Sequence, residues 1–97
     1  MSKETESEDK SYYYGLVDVY VDSGQTGRAL LQATRNIAYN EDDPAAYIKR
    51  ARVYEKLGAL ENAILDLQEA LRISPDNKDA NTILKRVRIK FCDGPAS

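Results

Sequence analysis

The sequence repeats itself with a period of 34 residues, and this period limits the fold more than any other feature. Residues 10–43 align with residues 44–77 without a gap. A fixed period of about 20 to 50 residues is typical of a solenoid, in which each unit buries its apolar face against the next unit. Identical residues stand at seven aligned pairs: Tyr13/Tyr47, Val19/Val53, Tyr20/Tyr54, Gly24/Gly58, Ala29/Ala63, Leu31/Leu65 and Asp42/Asp76.

Each unit shows the spacing of two helices. In the second unit, Tyr47, Ala51 and Tyr54 lie three and four residues apart, which places them on one helix face. Asp43 followed by proline predicts the start of this helix, and Gly58 predicts a left-handed residue at its end. A second apolar stripe then runs as far as the letters SPDN, where proline cannot continue a helix. The first unit repeats this plan, with helices predicted at about 11–22 and 26–39.

A further apolar pattern follows the second unit. Residues 78–91 combine one apolar stripe with one basic face, as expected of a helix that caps a solenoid. The letters VRIKF also alternate between apolar and basic residues, which leaves an edge strand as the alternative. We favour a helix because helices precede this segment and no other strand is available for pairing. The stripe consists of Ala80, Ile83, Leu84, Val87 and Phe91.

The repeated residues resemble the tetratricopeptide repeat, a helix-turn-helix unit of about 34 residues. Three positions of the first unit depart from the family pattern: Val17 stands where a small residue is usual, Asn36 stands opposite Ala70, and Glu41 takes the proline position. The matching residues are Tyr13, Leu16, Tyr20, Gly24, Ala29 and Ala33 in the first unit, and Tyr47, Tyr54, Gly58, Ala63, Leu67 and Pro75 in the second.

The resemblance implies an all-α fold, a short right-handed solenoid of helical hairpins. We expect two units at about 10–43 and 44–77, followed by a capping helix at about 78–91. Residues 1–10 are polar and acidic and are predicted to form a disordered tail, because they cannot bury enough apolar area to fold. Residues 92–97 are predicted to form a flexible tail.

The resemblance also implies a function. Tetratricopeptide arrays are non-catalytic protein-interaction modules, adaptors or scaffolds, whose first helices line a concave groove that holds a partner peptide or helix. An acidic segment is one candidate partner here, because Arg52 and Arg86 are equivalent residues of successive units, and adjacent guanidinium groups suit a carboxylate or phosphate. The predicted partner-binding residues are Tyr14, Asp18, Ile48, Lys49, Arg52, Lys56, Arg86 and Lys90.

The two halves of the chain carry opposite charge. Residues 1–43 hold four Lys/Arg against nine Asp/Glu, a balance of −5, and residues 44–91 hold ten against six, a balance of +4. The predicted groove therefore runs from an acidic end to a basic end. The alternative is that these charges pair with local residues and form a solvated face.

One co-chaperone subfamily of this family grips the C-terminal carboxylate of heat-shock chaperones with a Lys/Asn/Asn/Lys/Arg clamp. The corresponding positions here hold Tyr14, Asp18, Lys49, Asp79 and Ile83. Lys49 alone could serve in such a clamp, and the two aspartates would repel a carboxylate. The chaperone-tail interpretation therefore fails in this register, unless a preceding repeat is missing.

The tyrosines are predicted to have different environments. Tyr12, Tyr13 and Tyr14 are consecutive and cannot share a helix face. Tyr13 is predicted to lie in the core because it aligns with Tyr47. Tyr12 and Tyr14 must point elsewhere, one of them towards the groove, a contact surface or an aromatic lid over the first turn. Tyr39 is predicted to pack between the units.

Several functional classes lack the residues they need. The chain has no histidine and one cysteine, Cys92, so it offers neither Ser-His nor Cys-His catalysis nor a zinc site. We predict no enzymatic activity, no cofactor and no metal. The net charge of −2 and the lack of a nucleic-acid motif argue against nucleic-acid binding. No apolar run is long enough for a membrane span, and we expect a cytoplasmic or nuclear protein.

Self-association is the alternative function. About three repeats are usually required for a stable solenoid, and two units with a cap lie at the lower limit. The groove or the last helix would then be occupied by another copy, as in a homodimer. Ile89 lies off the apolar stripe of the last helix and is the candidate contact.

Overall fold

The computed structural model describes the backbone of residues 2–96 and the side chains of residues 11–92. Within these residues every regular element is a helix, so the all-α prediction is confirmed. Residues 78–91 are helical, which excludes the edge-strand alternative. The helices are α1 (Ser2–Asp22), α2 (Thr26–Tyr39), α3 (Pro44–Leu57), α4 (Leu60–Ile73) and α5 (Lys78–Ala96).

Local sequence explains where the central helices begin and end. The Asp43 carboxylate accepts a hydrogen bond from the Ala45 N–H at 3.0 Å, which caps the first turn of α3, and Pro44 stands at its first position. Gly58 ends α3 with a left-handed φ of 80°, a conformation that favours glycine. Gly24 has the same conformation after α1, with a φ of 81°. Both glycines turn the chain back on itself to form a hairpin.

The hairpins stack through two apolar clusters that meet at α3. The first cluster lies between α1, α2 and α3 and consists of Val17, Ala29, Ala33 and Val53. The second lies between α3, α4 and α5 and consists of Ile48, Ala51, Ala63, Leu67, Ala70, Ala80, Ile83, Leu84 and Val87. The many alanines let the helix backbones approach closely. Helix α3 contributes side chains to both clusters and so joins the two repeat units.

Two departures from the family pattern are accommodated in the first hairpin. Val17 is fully buried in the first cluster, where it fills space that a smaller residue would leave. Asn36 is also buried, and its polar groups are satisfied. Its Nδ2 donates to the Tyr13 carbonyl oxygen at 3.1 Å, and its Oδ1 accepts from Gln32 Nε2 at 2.9 Å.

Two tyrosine predictions are wrong. Tyr13 is exposed and packs edge-on against Tyr12, with ring centroids 5.1 Å apart. Its counterpart Tyr47 packs against the second cluster, but α2 presents the polar Asn36 where α4 presents alanine, which leaves the Tyr13 ring without an apolar partner there. Tyr39 is 85% exposed instead of packing between the units, because it is the last residue of α2 and none of the side chains that the structure describes covers it.

The end helices are longer than predicted. Helix α1 begins at Ser2 instead of near residue 11, and α5 continues to Ala96 instead of ending near residue 91. The side chains of residues 1–10 and 93–97 lie outside the described residues. The predicted disorder of residues 1–10 and flexibility of residues 92–97 therefore stay predictions.

Candidate functional site

A groove of about 410 Å³ opens where α1, α3 and α5 lie side by side. Helix α1 supplies two aspartates, whereas α3 and α5 supply five cations and one glutamate, so the charge changes sign across the groove. We call it the charged groove. Its lining residues are Val17, Asp18, Val21, Asp22, Lys49, Arg52, Val53, Glu55, Lys56, Arg86 and Lys90.

Six of the eight predicted partner-binding residues line the charged groove. They lie on the first helices of successive units, α1, α3 and α5, which the repeat period brings to one side of the solenoid. Their role in binding a partner stays a prediction. The six are Asp18, Lys49, Arg52, Lys56, Arg86 and Lys90.

The other two predicted residues lie elsewhere. Ile48 is 9% exposed and belongs to the second apolar cluster, so the prediction that it contacts a partner in the groove is wrong. Tyr14 is half-buried, and its hydroxyl donates to Asp43 Oδ2 at 2.8 Å. Burial and this hydrogen bond raise the pKa of the Tyr14 phenol well above its usual value. Tyr14 therefore links α1 to the start of α3 and does not line the groove.

Two ion-pair groups inside the groove join neighbouring helices. Lys49 Nζ donates to Asp18 Oδ2, which connects α3 to α1. Glu55 connects α3 to α5: its carboxylate accepts from Arg86 Nε at 2.9 Å, from Arg86 Nη2 at 2.7 Å and from Lys90 Nζ at 2.8 Å. Arg86 and Lys90, both predicted to bind the partner, thus share one acid of the chain itself.

Glu55 was missed by the sequence analysis. Its side chain is 10% exposed, and the Arg86 guanidinium, aided by Lys90, holds the pKa of its carboxyl down at about 2. The sequence did contain a signal for this contact. Glu55 lies one helical turn after Arg52, and Arg52 is the equivalent of Arg86 one unit earlier. An acid at that position could reach the basic helix of the next unit.

Stability should fall in acid because of Glu55. The folded pKa of about 2 lies below the ordinary value of 4.5, so this carboxylate stabilises the fold above about pH 4.5, and that contribution is lost as the pH falls towards 2. Thermal unfolding followed by circular dichroism at several pH values would measure the loss. Glu55→Gln should unfold more easily near neutral pH and should depend less on pH in this window. If both proteins lost stability equally as the pH falls, Glu55 would not be the source of the acid sensitivity.

After these pairings, two cations of the groove keep no ionic partner. Arg52 and Lys56 are exposed on α3, four residues apart, and neither forms an ion pair with the side chains that the structure describes. Asp22, at the acidic end, is also without an ion pair among those side chains. These three exposed charges can therefore meet an incoming molecule without breaking an ion pair that the structure describes.

The chaperone-clamp positions do not come together as a carboxylate site. Asp18 and Lys49 neutralise each other, and Ile83 is buried in the second cluster. Tyr14 is directed to Asp43. The described residues also contain no group of three or more His, Cys, Asp or Glu that could hold a metal ion. No helix in this part of the chain is long and apolar enough to cross a membrane.

Paired helices that recur every 34 residues and stack around a groove on their first helices define a helical-repeat solenoid. Residues 14–78 match the family model of the tetratricopeptide repeat, and the chain belongs to this family. The resemblance seen in the sequence is thereby confirmed.

Similar proteins agree with this assignment. Outer envelope protein 61 of Arabidopsis thaliana is 25% identical over 81 residues, which are 82% of this chain and 15% of that protein. The first tetratricopeptide domain of human RPAP3 has a TM-score of 0.80 and 21% identity, covering 88% of this chain and 67% of that one. The first such domain of Spaghetti, solved with the HSP90 peptide SRMEEVD, has a TM-score of 0.78 and 20% identity, covering 87% and 67%. At these identities the solved structures show the fold alone.

Proposed function

We propose that this chain is a protein-interaction module, an adaptor or scaffold that binds an acidic segment of another protein in the charged groove. The observation that carries the proposal is the cation pair of Arg52 and Lys56, which is exposed in the groove without an acidic partner among the described residues. An acidic peptide or helix would provide that partner.

The position of the pair gives it affinity for an anion. Residues four apart on a helix are neighbours, so two like charges there repel each other by about 0.2–0.5 kcal/mol. A carboxylate between them would remove this repulsion and form charge-assisted hydrogen bonds. Arg86 and Lys90 contribute less, because each already donates to Glu55.

The rest of the groove indicates how a partner would lie. Val21 is half-buried and offers an apolar contact beside the cations, whereas Asp22 would repel acidic side chains at the other end. A bound segment would therefore place its acids towards α3 and α5. The peptide SRMEEVD in the Spaghetti complex is itself acidic, which supports this class of ligand. Since the clamp residues differ here, we expect acidic side chains, and not a terminal carboxylate, to determine binding.

An array of synthetic seven-residue peptides that differ in their number of Glu and Asp would test the proposal. The wild type should bind more strongly as the acid count rises, and Arg52→Glu/Lys56→Glu should weaken this binding by about tenfold or more. Amidation of the peptide C-terminus should matter little. These residues are exposed, so the variant should stay folded by circular dichroism.

Arg28→Glu/Arg35→Glu is the matched control. It makes the same change of charge at exposed residues of α2, outside the groove. Equal loss of binding in both variants would indicate a general effect of net charge. Binding that ignores the acid count, or that survives in the groove variant, would contradict the proposal.

Other aspects of the predicted function stay predictions: no enzymatic activity, no cofactor, no nucleic-acid or membrane partner, and a cytoplasmic or nuclear location. Self-association through α5 is a second candidate function. It is favoured by Ile89, which is 62% exposed on the last helix.

A further inference from the structure

The outer face of α1 is exposed where the equivalent face of α3 is buried. Val19 is 57% exposed and Tyr12 is also exposed, although their counterparts one unit later, Val53 and Ala46, are fully buried. The difference arises because α1 and α2 pack on α3, whereas nothing among the described residues packs on this side of α1. Equivalent residues of the two units are therefore buried on α3 and exposed on α1.

Gly15 lies on this face, between Tyr12 and Val19. Glycine is unfavourable inside a helix relative to alanine, because it loses more conformational freedom on folding. A Cβ added at Gly15 would meet no atom of the packed chain within 4 Å. No contact inside the chain therefore accounts for this glycine, whereas the close approach of another helix would. We call Tyr12, Gly15 and Val19 the α1 outer face.

The opposite end of the solenoid exposes the complementary position. Ile89 is equivalent to Glu55 and to Val21, and both of these contact the next unit. Val21 packs against the cluster that contains Val53, and Glu55 bonds to α5. In α5 the equivalent residue is Ile89, which is exposed. No further helix among the described residues packs against it. Ile89 and its exposed neighbours Lys85 and Arg88 form the α5 outer face.

Charge is complementary between the two ends. Lys85 and Arg88 make the α5 outer face basic, and neither forms an ion pair with the described side chains. Asp22 lies one turn beyond Val19 on α1 and is likewise without an ion pair among them. The sequence extends the contrast, since residues 1–43 carry a balance of −5 and residues 44–91 a balance of +4.

We propose that copies of this chain associate head to tail, with the α5 outer face of one copy packed on the α1 outer face of the next. The repeat period specifies how the two faces align. Within the chain, Val21 packs against the cluster that contains Val53. Ile89 is equivalent to Val21, and Val19 is equivalent to Val53, so Ile89 should pack against Val19 of the next copy. Such a contact joins two different surfaces, so it produces a ring or an open chain of copies. Of the charged groove only Asp22 borders the contact, and this proposal rests on the second candidate function, self-association, and not on peptide binding.

Sedimentation velocity on the whole chain, with Val19→Asp and Ile89→Asp, tests the arrangement. The contact is small and should be weak, so the average mass of the wild type should rise between about 10 µM and 1 mM. Each variant alone should stay monomeric, because each lacks one of the two faces. An equal mixture of the two should form a dimer, since Ile89 of the first variant can still meet Val19 of the second. Added salt should weaken association.

Leu65→Asp is the matched control. Leu65 is 59% exposed on α4, away from both outer faces, and its replacement should leave association unchanged. Three results would overturn the proposal: a wild type that stays monomeric, an association that survives either variant, or a mixture that fails to form the dimer. The last result, together with dimers of Val19→Asp alone, would indicate a symmetric contact between α5 helices instead. Peptide binding by the monomeric variants should remain, which separates this test from that of the groove.

Discussion

Replacing Asp66 by alanine should lower the free energy of unfolding by about 3–5 kcal/mol. The Asp66 side chain is 7% exposed, and its two oxygens accept from Arg50 Nε and Nη2, both at 2.8 Å. Removing the carboxylate leaves the Arg50 guanidinium mostly buried without its counter-charge. A loss of this size approaches the whole stability of a small domain, which is about 5–15 kcal/mol.

The position of Arg50 explains why the effect should be large. Its Nη1 lies 3.4 Å from Thr34 Oγ1 of α2, and its guanidinium lies 5.6 Å from the Tyr54 ring centroid. The pair with Asp66 therefore connects α3 to α4 and also contacts the first unit. The hydrogen bond to Asp66 raises the pKa of Arg50, so the guanidinium stays charged throughout the accessible pH range. An uncompensated charge would then remain at the junction of three helices.

Urea unfolding followed by circular dichroism would measure the change. Arg72→Ala is the control, because it breaks the pair between Arg72 and Glu69, which lies at the surface of the adjacent turns of α4. Exposed pairs contribute little, so this control should unfold almost as the wild type does. If Asp66→Ala were no more destabilised than Arg72→Ala, the buried pair would not have the predicted role.

The fold could be predicted from the sequence because it depends on the 34-residue period and on the helical spacing within each unit. A gapless period, helical spacing and the caps at Asp43 and Gly58 specify hairpins that stack in order. The same period brought six of the eight predicted residues to one groove, since the first helices of successive units lie on one side of a solenoid. Backbone periodicity is sufficient for such statements.

Side-chain partners could not be predicted in this way. Tyr14 and Ile48 are equivalent residues, and both were expected in the groove, yet both point into the junction with the neighbouring unit. Because the two residues are equivalent, one wrong assumption about which helix face they occupy produced both errors. The pairing of Glu55 with Arg86 and Lys90 depends on how closely α3 and α5 approach and on side-chain rotamers, which the period does not specify.

Replacing Leu67 by alanine should cost about 2–5 kcal/mol of folding free energy. Leu67 is among the largest fully buried side chains and lies in the second cluster, between α3 and α5. Its neighbours there are mostly helix-borne alanines and branched side chains, which cannot move far to fill the space left. Leu65→Ala is the control on the same helix, because Leu65 is exposed and its loss opens no cavity. Urea unfolding of the two variants would give the difference.

Hydrogen exchange should also show which helices lose stability, because among the described residues α3 is the helix with side chains in both clusters. In a solenoid, stability is close to a sum of terms for units and for their interfaces, so damage need not spread evenly. Native-state hydrogen exchange of Leu67→Ala should show protection falling most in α4 and α5 and less in α1 and α2. An equal fall in all five helices would contradict this and would show that the first hairpin cannot stay folded once the second cluster is weakened.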